Sequence, residues 1–195
     1  MEKYVIVGNP NCGKTTLFNT LTKSKEKTAN YNGVTVKEKS KKIKYNGREI
    51  EVVDLPGVYT INSTTSQDED VAKSYLKNNK CSYIVFLCSS SNIQKNLTLL
   101  AELVQQGDKH IKVVINKNDK GLSSRTINQL ENLIGTNVLQ VDARKNRDKI
   151  LDFLTNEVAS YITEKLRIDE ILKLFPTDEL TIKKALLLVM LIWGG

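Results

Sequence analysis

The stretch Lys3-Tyr4-Val5-Ile6-Val7-Gly8-Asn9-Pro10-Asn11-Cys12-Gly13-Lys14-Thr15 runs from an apolar segment straight into a glycine-bracketed turn. A short apolar run that meets such a turn predicts a buried strand. Leu17, Phe18 and Leu21 follow at helical spacing and predict a helix starting near Lys14. Residues 8–15 fit G-x-x-x-x-G-K-[ST] in the strand–turn–helix setting that gives the pattern its meaning. Glycines let the backbone curl so that successive N–H groups converge on phosphate oxygens, and the helix N-terminus favours the anion. On this reading Asn9, Asn11, Cys12, Gly13, Lys14, Thr15 and Thr16 line a nucleotide's phosphates. Lys14 reaches the β and γ oxygens, and the Thr15 hydroxyl takes a place on Mg²⁺. Cys12 is either a small side chain tolerated in the loop or a thiol that the helix N-terminus activates.

Outward from this loop, strands and helices alternate. Val36–Tyr45 and Glu49–Asp54 read as a hairpin closed by Asn46-Gly47. Helices are expected over 68–79, 96–106, 123–134 with Ser123 or Ser124 as cap, and about 148–166. Strands are expected over 83–88, 111–115 and 138–141. This order predicts an α/β fold, a doubly wound and mostly parallel sheet with one antiparallel edge pair. Ligands bind beyond the carboxyl ends of the strands in such sheets. Residues 1–166 are read as one domain. Residues 167–195 are read as a short helical appendage, with Pro176 between two segments.

A chain of 195 residues with 40% hydrophobic and 26% charged residues suits a globular domain rather than a disordered one. The net charge of +7 suits either an anionic partner or a lysine-rich solvated surface. Three cysteines without metal-ligand or disulfide spacing suit a reducing compartment, and the chain opens without a charged-then-apolar leader. The apolar run 185–193 is shorter than the roughly 20 residues that span a bilayer. His110, the only histidine, is expected at the surface before a strand.

Further motifs fall at strand ends. Asn116-Lys117-Asn118-Asp119 follows the strand 111–115. The Asp119 carboxylate can accept two hydrogen bonds from the N1–H and amine of guanine, a pair adenine lacks. The Lys117 stem can lie along the base. Asp142-Ala143-Arg144 follows the next strand, where the Ala143 N–H can meet the guanine carbonyl. Asp54-Leu55-Pro56-Gly57 ends the hairpin. Asp54 would hold Mg²⁺ through water, and the Gly57 N–H would touch the γ-phosphate. Thr35 can reach both Mg²⁺ and that phosphate. Two loops that lose contacts when the γ-phosphate leaves make a switch. Val58 follows Gly57, so no glutamine there orients the attacking water.

Together these motifs resemble the G domain of the ferrous iron transport protein B (FeoB) family over about residues 1–155. The resemblance is carried by Gly8-Asn-Pro-Asn11 through Thr16-Leu-Phe-Asn19, and by Asn30-Tyr-Asn-Gly-Val-Thr-Val36 with Asn32 in place of the usual proline. Asp54-Leu-Pro-Gly-Val-Tyr-Thr60, Ser66-Gln-Asp-Glu69 and Asn92-Ile-Gln-Lys-Asn-Leu97 complete it. The resemblance implies GTP/GDP, Mg²⁺ and K⁺ as ligands, with GTP hydrolysis on the cytoplasmic side of a membrane. It implies that Asn11 coordinates K⁺, which with Lys14, Thr35 and Gly57 would carry the chemistry. It also implies a transporter membrane domain or another transport protein as partner, and leaves a homo-oligomer open. Lys117 stands where the family commonly has methionine, and Asp142 where serine is usual.

Two other functions are consistent with parts of the sequence. The Lys37–Lys44 cluster and the net charge fit an RNA-associated GTPase, but no RNA-binding domain is visible in these residues and a nucleic-acid partner is not expected. Val58 fits a slow-turnover switch for a protein partner.

Overall fold

The computed structural model describes residues 1–25, 38–62, 66–91, 93–105, 110–117 and 121–156. Eleven elements follow one another: β1 (Glu2–Val7), α1 (Lys14–Thr22), β2 (Lys39–Tyr45), β3 (Arg48–Asp54), α2 (Gln67–Asn78) and β4 (Tyr83–Ser89). Then come α3 (Ile93–Gln105), β5 (His110–Asn116), α4 (Ser124–Ile134), β6 (Val138–Val141) and α5 (Arg147–Thr155). They build a six-stranded sheet of order β2-β3-β1-β4-β5-β6. Only β2 runs antiparallel, paired with β3 through the Asn46-Gly47 turn, in which both residues have positive φ.

Side-chain alternation divides the core into two layers. On one face Val5, Val7, Ile84, Phe86, Val113 and Ile115 meet Leu76 of α2, Leu97 and Leu100 of α3, and Leu130 and Ile134 of α4. On the other, Tyr4, Ile6, Val85, Leu87 and Val114 meet Leu17 and Leu21 of α1 and Ile150, Leu151 and Leu154 of α5. The period of two along each strand and about 3.6 along each helix produces this doubly covered sheet. From β1 the chain moves to β3 on one side and then crosses to β4 on the other. The topological switch point therefore lies at the carboxyl end of β1, where Gly8 begins the turn.

The lysines of β2 form an exposed edge. Lys42 lies opposite Glu51 and Lys44 opposite Glu49, while Ile43 points into the core. Opposite charges across a strand pair stabilise it, and an edge lined with lysine resists pairing with another chain.

Three expectations are corrected. Helix α3 starts at Ile93 rather than Asn96, because Ile93 and Asn96 are both buried and belong to its first turns. His110 is the first residue of β5, half-buried with its ring 5.4 Å from that of Tyr83. Helix α5, expected to reach residue 166, ends at Thr155, where Asn156 turns extended. The buried Lys112 Nζ donates to the Asn156 carbonyl at 2.6 Å, and Arg48 Nη1 donates to the Thr155 carbonyl at 3.3 Å. Two cations thus satisfy carbonyls at the negative end of the helix. The expected appendage 167–195 lies outside the described residues. No helix among the described residues is long and apolar enough to cross a membrane.

The structure also decides which serine caps α4. Ser123 Oγ accepts from the Thr126 N–H at 3.1 Å. Ser123→Ala is expected to lower stability by about 1 kcal/mol. Ser124→Ala, in the helix itself, should stay within about 0.5 kcal/mol of the parent. Urea titration of the two variants checks this.

Candidate nucleotide-binding site

The turn from β1 into α1 depends on two left-handed residues, Asn11 (φ 62°) and Gly13 (φ 103°). At Gly13 a Cβ would also come within 2.5 Å of Asn116 Nδ2, so glycine is required on two counts. Helix α1 begins immediately afterwards with no side-chain cap and no acidic residue in its first turn. Its leading amides are left for an external anion. Lys14 is buried, and its Nζ donates to the Asn9 carbonyl at 3.1 Å across the loop. Asn11 stands exposed on the outer turn.

Beneath the loop, Thr15 Oγ1 donates to Asp54 Oδ2 at 3.0 Å. The other carboxylate oxygen, Oδ1, is buried and has no hydrogen-bond partner among the described residues. Burial pushes the Asp54 carboxyl above its ordinary range, and the opposing pulls of Lys14, Thr15 and Lys39 do not cancel that. Buried carboxylate and hydroxyl oxygens in this position are the donor set of a hard divalent cation. The chain then passes close over the phosphate loop. The Val58 N–H donates to the Gly8 carbonyl at 3.2 Å, and a Cβ on Gly57 would fall 2.7 Å from Pro10 Cα. Val58 is fully buried, so it presents no group to a water molecule.

Asn116, at the end of β5, ties the loops together. Its Nδ2 donates to the Cys12 carbonyl at 3.0 Å, and its Oδ1 accepts from the Ala143 N–H at 3.0 Å. Ala143, whose N–H is expected to meet the guanine carbonyl, directs that N–H to Asn116 in this structure. Its carbonyl is held as well, by Thr20 Oγ1 at 2.6 Å. Asp142 closes the same loop. It accepts from the Arg144 N–H at 2.9 Å and pairs with the guanidinium, and these bonds lower its carboxyl to about 2. The Lys117 N–H donates to the Val141 carbonyl at 3.0 Å while its side chain stays exposed.

Cys12 is buried, and burial pushes its thiol pKa up. That opposes the activated thiolate considered from sequence. The structure brings Asn9, Asn11, Cys12, Gly13, Lys14, Thr15, Thr16, Asp54 and Gly57 to the carboxyl ends of β1 and β3. Asn116, Lys117, Asp142, Ala143 and Arg144 lie at the neighbouring ends of β5 and β6. Thr35 and Asp119 lie outside the described residues. Two contacts were not foreseen from the sequence. Asn9 Nδ2 donates to the Lys95 carbonyl of α3 at 3.3 Å, and the buried Glu102 of α3 receives Thr60 and Ile61. The signal for the second was present, a lone acid inside the apolar run Leu99-Leu100-Ala101-Glu102-Leu103.

The sheet order, the glycine-hinged loop at its switch point and the Thr15–Asp54 pair below it define a P-loop nucleotide-binding domain of the G-domain type. The family model described as ferrous iron transport protein B matches residues 2–157, and the chain belongs to that family. The Fe(2+) transporter FeoB of Legionella pneumophila is 35% identical over 153 residues, covering 75% of this chain and 20% of its own length. The chain thus spans about a fifth of the length of this relative. The solved cytosolic domain of L. pneumophila FeoB is similar over 83% of this chain and 65% of its own, with 33% identity and a TM-score of 0.70. A GDP-bound variant of the S. thermophilus FeoB G-domain is similar over 85% of this chain and 62% of its own, with 30% identity and a TM-score of 0.61.

The Asn116 strap has a measurable consequence. Asn116→Ala leaves the buried Ala143 N–H and Cys12 carbonyl without their partner. Stability should fall by about 1–3 kcal/mol for the groups left unpaired. A denaturation midpoint measured without nucleotide detects this apart from any effect on ligand binding.

Proposed function

We propose that this chain binds GTP with Mg²⁺ and hydrolyses it to GDP and phosphate, as the nucleotide-operated segment of a ferrous iron transporter. It would act on the cytoplasmic side of the membrane, with the transporter's membrane domain as partner. The observation that carries this reading is the uncapped amide curl of residues 8–15, with Lys14 at its mouth and the Thr15–Asp54 pair beneath. The family membership and the GDP-bound relative support guanosine as the nucleoside.

In this reading Lys14 leaves the Asn9 carbonyl for the β and γ oxygens, exchanging one acceptor for a charged one. Thr15, Asp54 and Thr35 would hold Mg²⁺, which neutralises charge on the β and γ oxygens. Gly57 presents its N–H to the γ-phosphate. Asp119 selects guanine, with Lys117 along the base. The Ala143 N–H would leave Asn116 Oδ1 for the guanine carbonyl, as Lys14 leaves the Asn9 carbonyl. Position 58 has no polar group, so another source of positive charge suits the reaction. The exposed Asn11 carboxamide would hold K⁺ there, a charge placed as an arginine finger is elsewhere.

The apolar, buried Val58 also supports a second reading, a switch that holds GTP and barely turns it over. Turnover at saturating GTP with Mg²⁺, in K⁺ against Na⁺, separates the two. The first reading predicts stimulation by K⁺ of about tenfold or more. It also predicts that Asn11→Ala abolishes the stimulation while sparing GDP binding. Equal turnover in both salts supports the second reading, and stimulation that survives in Asn11→Ala removes Asn11 as the cation's ligand.

A further inference from the structure

The segment from Leu55 to Ile61 is fastened at two places. Near its start, Leu55 N–H donates to the Ile6 carbonyl at 3.4 Å and Val58 N–H to the Gly8 carbonyl at 3.2 Å, so Gly57 lies against the phosphate loop. Near its end, the fastening is one side chain of α3. Glu102 Oε2 accepts the Ile61 N–H at 2.6 Å, and the Thr60 hydroxyl sits 2.7 Å from Oε1 and 2.9 Å from Oε2. Thr60 Oγ1 in turn accepts the Asn62 N–H at 3.2 Å. Glu102 is only 2% exposed, and no Lys or Arg pairs with it among the described residues.

A buried carboxylate without a cation is costly unless donors converge on it. Here the converging donors come from the loop that passes over the phosphates. The same helix is tied to the phosphate loop within its first turn, where Asn9 Nδ2 donates to the Lys95 carbonyl. Phosphate loop, passing loop and α3 thus form a closed circuit of hydrogen bonds that runs through Gly57's own segment. Hydrogen bonds to a charged acceptor are roughly twice as strong as neutral ones, which suits a tie that must hold a loop in one place.

We propose that Glu102 is a positioning residue for the γ-phosphate: through Thr60 and Ile61 it holds Gly57 where its N–H meets a nucleoside triphosphate but not a diphosphate. The inference rests on the functional reading above, and deepens it by naming the group on α3 that senses the third phosphate.

The test compares affinities for GDP and for a non-hydrolysable GTP analogue, with Mg²⁺, in the parent chain, Glu102→Ala, Glu102→Gln and Thr60→Val. A merely structural carboxylate would weaken both nucleotides alike. The proposal predicts that Glu102→Ala lowers analogue affinity about tenfold or more while GDP affinity moves less than about threefold. Thr60→Val, which removes only a half-exposed hydroxyl, should shift the ratio the same way to a smaller extent and covers the case in which Glu102→Ala does not fold. Glu102→Gln keeps an acceptor for the Ile61 N–H and should retain most of the parent ratio. Equal losses for both nucleotides, or an unchanged ratio in Thr60→Val and Glu102→Ala, overturn the assignment of Glu102 and leave the functional reading intact. A parent chain that binds neither nucleotide sinks the functional reading itself.

Discussion

One carboxamide keeps the candidate site in a single frame. Asn116 donates to the phosphate loop at Cys12 and accepts from the loop after β6 at Ala143. Those two loops are separated by more than a hundred residues of chain and by the width of β4 and β5 in the sheet. Without a rigid tie, each would sample its own positions, and a ligand spanning them would bear the ordering cost. With it, phosphate and base recognition share one reference point. Gly13 lets Asn116 approach so closely, since any Cβ there would collide with the amide. The glycine of the motif therefore serves the strap as well as the curl.

Around this frame the sheet supplies direction. Parallel strands bring the described motifs to their carboxyl ends, and the reversal of strand order at β1 opens a place there for the turn. The two apolar layers hold the strands from both faces, so the loops beyond them can move without disturbing the core. The loop from Leu55 to Ile61, like the two that Asn116 ties, is held in place, at the phosphate loop by Val58 and at α3 by Glu102.

Much of this was legible in the sequence because it is written in short-range patterns. The phosphate loop, the Asn46-Gly47 hairpin, the alternation of strands with helices and the cap at Ser123 all depend on neighbours within a few residues. The misses depend on partners far along the chain. Helix α5 stops where Lys112 of β5 reaches the Asn156 carbonyl, and no local signal around residue 156 announces a lysine from another strand. The bond from the Ala143 N–H to Asn116, 27 residues away, has no local signal either. Glu102 stands out as a lone acid in an apolar helical run, but nothing near it in sequence names the loop that supplies its donors. Of the two readings of Cys12, burial supports the packed side chain over the reactive thiol.

The proposed function requires the Asp119 carboxylate to select the purine whose phosphates residues 8–15 would receive. Displacement of a fluorescent GDP by unlabelled nucleotides, with Mg²⁺ present, tests that most directly. The account predicts that GTP and GDP compete at concentrations at least about a hundredfold lower than ATP and ADP, and that Asp119→Ala erases the gap. Equal competition by adenine and guanine nucleotides, or a guanine preference that persists in Asp119→Ala, would contradict it.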